Sequence, residues 1–388
     1  MKKIAEIQNI IFEQAKSHQF AGYDPFDGLN SRWFNTFPSL RDSLIGLCWI
    51  QFFKRSPINM RPILGVPEGR NPKGVALFIL GMLEQYKVTG DKALLIEAES
   101  LANWLVTQCC DKAQWGTACW GYHFDWKARA FFVPKGKPNV ITTIYVSRAL
   151  YDLGTHLGRQ DLMDIALSSA DFIVNHLYTK LEARQFFAYI PGEMAFVHNA
   201  SLWGAAWVAF VASKTGNEYY AELALKVASQ SVKEQASNGS WVYGDRHHHQ
   251  FIDGFHTGYN LEALYEIKKS LDTNIFDSAI ELGLTYYKNN FFESDGTAKY
   301  YDNNRYPLDP HSVAQGIITL LKVGKKKEDK ELAGKIINKA IDDLYIESKQ
   351  HFLYQKTQRF ENKINYIRWT QAWMYYSFSL YLKELSGD

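Results

Sequence analysis

Six stretches of this chain run apolar almost all the way round, and each opens on a polar group set just before the aliphatic and aromatic positions. The openings are Asn71, Asn139, His198 with Asn199, His256, His311, and Arg368 with Trp369, recurring every 55 to 68 residues or so. Val140 to Gly154 illustrates the pattern, with apolar residues on every face, which suits a helix buried on all sides. A Gly158-Arg-Gln-Asp161 break follows, and then a segment to about Tyr178 that carries charge on one face only, as an outer helix does. The same unit recurs at 72–110, 198–236, 254–290 and 309–345, each with a break that tolerates positive φ. A period of this length predicts repeated helical hairpins.

The predicted inner helices are 71–88, 139–157, 198–215, 254–270, 309–323 and 367–384. Five have an outer partner following them, and a helix at 3–19 or 39–55 would close the ring against the sixth. The expectation is an all-α fold, an (α/α)6 toroid of six helical hairpins formed by residues 1–388 as one domain. Long links at 111–138, 179–197, 237–253, 291–308 and 346–366 run into inner-helix N-termini, so they should gather on one rim. Short β-hairpins are expected there, in Trp120 to Trp126 and in Phe352 to Thr357 with Lys363 to Tyr366. Free N–H groups and positive dipole ends would make this rim favourable to an anionic ligand, a carboxylate-bearing sugar among them.

Charge and composition narrow the classes. A net charge of +2 gives no basic stripe for nucleic acid, and Lys325 to Lys327 falls in a hairpin turn. The first residues begin Met-Lys-Lys, but Glu6, Gln8, Asn9 and Glu13 interrupt any signal-like apolar core and predict an amphipathic helix instead. No stretch is long and apolar enough for a membrane span. Cys48, Cys109, Cys110 and Cys119 lack CxxC spacing and read as reduced thiols of a cytoplasmic protein. No phosphate-binding glycine loop occurs, and the consecutive His247, His248 and His249 point in different directions, so neither a cofactor nor a metal is expected.

Aromatic residues make up 15% of the chain, enough to fill large helical cores and still leave flat rings in the links to face sugars. Trp120, Trp126, Trp241 and Tyr306 are the link candidates. The densest polar cluster runs from Trp241 through Arg246 to Asn260, with Asp253 at a helix N-cap and His256 and Tyr259 on the first turns. Asp309 and His311 open the fifth inner helix, Asp24 and Asp27 lie in a turn-rich segment, and Asp125 lies beside Trp126. Glycosidase-like acid–base chemistry is the expected activity, with lyase or uronate C5-epimerase chemistry as the alternative; hydrolysis needs two carboxyl groups, for which Asp253 and Asp309 are the first choice among Asp253, Asp309, Asp125 and Asp24, assisted by His256. Proton abstraction from a sugar carbon needs instead a His or Tyr base and a cationic or amide group, which moves weight to His256, Tyr259, Asn199, Arg246 and Arg368. His198, His311, Trp369 and the link aromatics are then substrate-binding candidates.

Seven segments carry a family likeness: 23–31, 120–126, 133–140, 196–200, 244–260, 306–312 and 367–373. With Tyr23-Asp-Pro-Phe-Asp-Gly-Leu-Asn-Ser and Gly244-Asp-Arg-His-His-His-Gln-Phe-Ile-Asp-Gly-Phe-His among them, the chain resembles bacterial proteins associated with surface-polysaccharide biosynthesis. More broadly it is similar to the six-hairpin glycosidase superfamily. That resemblance implies an (α/α)6 toroid, an oligo- or polysaccharide partner, and polysaccharide-assembly proteins as possible associates. It leaves hydrolase, lyase, epimerase and non-catalytic glycan binder open, because a fold selects a substrate class more than a reaction.

Overall fold

The computed structural model describes residues 1–128 and 131–387. Helix α1 (Lys2–Ser17) is followed by an excursion of short helices, α2 (Arg32–Thr36), α3 (Leu44–Arg55) and α4 (Arg61–Leu64). Inner helix α5 (Pro72–Thr89) pairs with outer α6 (Lys92–Thr107), and a one-turn α7 (Lys112–Trp115) leads into the next link. The pairs α8 (Val140–Leu157) with α9 (Gln160–Phe172), α10 (His198–Thr215) with α11 (Glu218–Lys233), and α12 (Gly254–Leu271) with α13 (Asp277–Phe291) continue the pattern. Helix α14 (Pro310–Thr319) runs on as a wider turn to Gly324 before α15 (Lys327–Leu344), and a similar wide turn, Ile367–Gln371, opens α16 (Ala372–Ser386).

Inner helices pack in the order α5, α8, α10, α12, α14, α16 and back to α5, which closes the (α/α)6 ring. Of the two segments that could complete it, α1 does so: Phe12 stacks on Tyr375 at 5.6 Å and Gln8 Nε2 donates to Ser379 Oγ at 2.6 Å. The 39–55 segment instead forms α3 on the rim.

Local chemistry explains the helix limits. Asn71, Asn139, Asp253 and Asp309 cap α5, α8, α12 and α14 with their own side chains, accepting backbone N–H groups that a first turn leaves without partners. Gly90, Gly158 and Gly216 end α5, α8 and α10 at φ of 67°, 69° and 70°, a conformation in which a Cβ would be strained.

Small antiparallel strand pairs lie in the long links, with Trp126–Lys127 on Phe132–Val133 and Gln355–Lys356 on Glu361–Asn362. Their register is shifted from the sequence expectation: Gly121 makes only an isolated bridge to Pro138, and the last pair ends before Lys363. No helix among the described residues is long and apolar enough to cross a membrane.

Candidate active site

The N-terminal ends of the inner helices surround a cavity of about 430 Å³. Every inner opening contributes to its wall: Lys73 of α5, Ile141 of α8, Asn199 of α10, Asp253, His256 and Tyr259 at α12, His311 of α14, and Arg368 with Trp369 ahead of α16. The links add an aromatic lining, including Tyr122, Trp126, Tyr189, Tyr243, Tyr300 and Tyr301, and α3 adds Leu47, Gln51 and Lys54.

Asp253 and His256 form one unit. The Oδ1 atom of Asp253 accepts the His256 backbone N–H at 2.8 Å, which caps the helix, while Oδ2 lies 2.7 Å from His256 Nδ1. A carboxylate on Nδ1 holds the neutral ring in the tautomer whose Nε2 is a base. The imidazole is partly open to the cavity, with the Tyr243 ring 4.4 Å away.

A second unit lies deeper. Tyr259 Oη is 2.6 Å from His311 Nε2, and the His311 ring is sandwiched between Phe255 at 4.7 Å and Trp373 at 4.6 Å. Burial, followed by the charges of Lys73 and Arg368, holds the His311 imidazolium well below the usual histidine range. Burial likewise holds the Tyr259 phenol far above its ordinary value. The hydroxyl therefore donates and the neutral imidazole accepts. His311 Nδ1 and Asn199 Oδ1 are buried and have no partner among the described residues, as expected of groups kept for something that binds.

Cations dominate the wall. Lys73 Nζ sits 4.7, 5.0 and 5.5 Å from the rings of Tyr145, Trp373 and Tyr259, and 3.5 Å from the Tyr259 hydroxyl. Burial, then the nearby Arg368 charge, lowers its ammonium well below the usual lysine range. An ammonium destabilised in this way gains most when an anion forms beside it. Lys54, 5.0 Å above the Phe26 ring, is lowered by burial as well. Arg368 is held by a bidentate pair with Asp24 at 2.5 and 2.8 Å. Asp253 is the only carboxylate on the wall among the described residues.

Other sequence candidates lie behind the cavity or away from it. Asp24 and Asp27 form a buried network with Arg368 and Arg61, in which Arg61 Nε donates to Asp27 at 2.6 Å. Asp309 is fully buried behind Trp369, whose indole N–H is 3.3 Å from both carboxylate oxygens, and Gln355 donates to it at 2.7 Å. Burial raises the Asp309 carboxyl to about 6 against those hydrogen bonds. Asp125 is engaged by Arg41 at 2.7 Å and by the Lys135 N–H at 2.6 Å. Trp120 and Trp241 are core residues whose indoles donate to the carbonyls of Leu105 and Ser231. His198 is buried against Phe196, Arg246 pairs with Glu193 at 2.7 Å, and Tyr306 is half-buried; none of the three lines the cavity.

Sequence reasoning missed Lys73 and Tyr243. Lys73 had a signal, as a lone charge in the apolar run from Pro72 to Leu83; Tyr243 was hidden among the many link aromatics.

No family model matches the chain, and no curated protein matches it. Solved structures share its fold. A cellobiose 2-epimerase from Bacillus thermoamylovorans superposes with a TM-score of 0.62 at 11% identity, over 81% of this chain and 88% of that one. An unsaturated glucuronyl hydrolase specific for heparin gives 0.61 at 14%, over 84% and 90%. A D-mannose isomerase gives 0.58 at 10%, over 82% and 87%. At such identities the likeness establishes the toroid and nothing finer.

Proposed function

We propose that this protein is a carbohydrate-active enzyme that moves a proton at a sugar carbon, an epimerase or isomerase acting on a sugar, oligosaccharide or polysaccharide end. The observation carrying the reading is the composition of the wall: among the described residues its one carboxylate, Asp253, is committed to His256, so the group that this pair presents to the cavity is an imidazole. A hydrolase needs two carboxyl groups facing the scissile bond, and Asp309 stands behind Trp369. The geometry therefore supports the proton-transfer branch of the sequence expectation over the hydrolytic one.

The chemistry follows from these positions. His256 Nε2 takes the proton from the carbon next to the carbonyl of an open-chain sugar, and the C–H electrons move toward oxygen as an enediolate. Lys73 and Arg368 face that oxyanion in a low-dielectric pocket, and the Tyr259 hydroxyl, whose own proton goes to His311, holds Lys73 in place from 3.5 Å. Return of the proton to the neighbouring carbon, with the hydroxyl hydrogen passing from one oxygen to the other, gives isomerisation; delivery of a different proton to the opposite face, while His256 releases its own to solvent, gives epimerisation. Aromatic walls supply the apolar faces on which sugar rings rest. The names of the epimerase and isomerase with this fold agree with such chemistry, and the resemblance to surface-polysaccharide proteins supports a polymer-derived substrate.

The test is incubation with neutral and uronate-containing sugars in heavy water, read by NMR and mass spectrometry. Deuterium should enter at one carbon without cleavage, and His256→Gln should slow its entry about 10²- to 10⁴-fold, the usual contribution of a positioned general base. New reducing ends or unsaturated products would move the assignment to a hydrolase or a lyase, and binding without exchange would move it to a glycan-binding protein.

A further inference from the structure

The excursion from Ser31 to Gly65 stands outside the ring and differs in character from the rest of the chain. It carries Arg32, Arg41, Lys54, Arg55 and Arg61 against one acid, Asp42. Arg41 is spent on Asp125, Arg61 on Asp27, and Asp42 on Lys127. Arg32 and Arg55 remain exposed, with no acid paired to them among the described residues.

Apolar exposure concentrates in the same place. Of the fifteen exposed large apolar side chains among the described residues, seven fall here: Trp33, Phe37, Leu44, Ile45, Phe52, Ile58 and Ile63. Helix α3 sorts its residues by face. Gly46, Ile50 and Phe53 are buried, and Leu47, Gln51 and Lys54 line the cavity. Leu44, Ile45, Cys48, Phe52 and Arg55 all face outward, within an arc of about 100° on a regular helix. Trp33 continues the patch through ring contacts to Phe37 at 6.1 Å and to Trp49 at 5.6 Å, and Trp49 meets Phe52 at 5.9 Å. An outer helix of this ring would carry charge where α3 carries leucine and phenylalanine.

We propose that this face docks on an anionic lipid bilayer, with α3 lying in the headgroup plane and the cavity mouth beside it. Three features favour a bilayer. The patch joins tryptophan, phenylalanine and aliphatic side chains to arginine, the mixture that partitions into the boundary between headgroups and acyl chains. Its surplus of cations complements a negative lipid surface. The same helix supplies one wall of the cavity, so docking would place the site where a membrane-tethered glycan is presented. The inference does not need the proton-transfer chemistry to be right.

Co-sedimentation of the full chain with vesicles provides the test, using phosphatidylcholine alone and phosphatidylcholine mixed with phosphatidylglycerol. Binding should need the anionic lipid, weaken as salt rises, and fall at least about tenfold in Leu44→Glu/Phe52→Glu, the scale expected when charges replace apolar anchors. Ile96→Glu, at an exposed apolar position on α6, should bind as the parent does. Brominated lipid should quench tryptophan fluorescence in the parent, and less so in Trp33→Ala. Absence of binding to either vesicle, or equal loss in Ile96→Glu, overturns the proposal. So does a dimer in sedimentation that Leu44→Glu/Phe52→Glu splits, since the face would then join two copies of the chain.

Discussion

Asp253, Asp309, His198 and His311 hold similar positions at the openings of inner helices, yet their surroundings differ. Asp253 keeps one oxygen for an imidazole on the cavity wall, whereas both oxygens of Asp309 are covered by indole, amide and backbone N–H. Nothing in the spacing distinguishes the two, because the covering groups come from far along the chain, Gln355 from the last link and Trp369 from the turn that opens α16. His198 illustrates the energetic side. Burial and the Arg184 charge push its imidazolium down to about 3, even with Glu234 4.0 Å from Nε2. A histidine lowered from 6.5 in the unfolded chain contributes stability that is present above 6.5 and lost as pH falls toward 3. Between pH 7.5 and 5 that loss is about 2 kcal/mol. The stability difference between the parent and His198→Asn, followed by urea unfolding across this range, should therefore shift by about 2 kcal/mol in favour of the variant at the acid end. A difference that does not change with pH would mean that His198 takes up its proton in the folded protein as it does in the unfolded chain, and a shift in favour of the parent would mean that it is charged when folded.

At the element scale, helix limits were legible because apolar periodicity, capping side chains and glycine ends agree with one another. Strand register was not, since two-residue pairs carry almost no periodicity, and the link pairs moved accordingly. Helix contacts were also invisible. Gly81 lies mid-helix in α5, where glycine ordinarily costs stability, and a local reading would favour alanine by about 0.5–1 kcal/mol. The structure reverses that sign. A Cβ at position 81 would stand 2.6 Å from two ring carbons of Tyr375 on α16. That ring cannot retreat, being stacked on Phe12, packed on Phe78 at 5.3 Å, and tied through its hydroxyl to Gln85. Gly81→Ala should destabilise the protein by about 1–3 kcal/mol, read as a lower urea midpoint with unchanged slope. A stabilised variant would show that α5 and α16 can separate without cost.

At the scale of the whole molecule, six repeated openings were enough to count the hairpins but not to decide what closes the ring. Both α1 and α3 are amphipathic segments of suitable length, and the choice rests on what each meets in space. The polar Gln8 falls where Ser379 can accept from it, and Ile4, Ile7, Ile11 and Phe12 are buried beside it. Each such side chain contributes roughly 1.5–3 kcal/mol, so the four together approach the 5–15 kcal/mol that holds a typical domain folded. A toroid without its twelfth helix would expose Phe12's partners, Phe20 and, on α16, Tyr375, and the cavity depends on Arg368 and Trp369 just ahead of that helix. Deletion of residues 2–17 should accordingly abolish the cooperative thermal transition in circular dichroism and shift the protein to aggregates on size exclusion. Retention of a sharp transition near that of the parent would mean that the ring is held closed by the six inner helices alone, with α1 only an accessory on its outer wall.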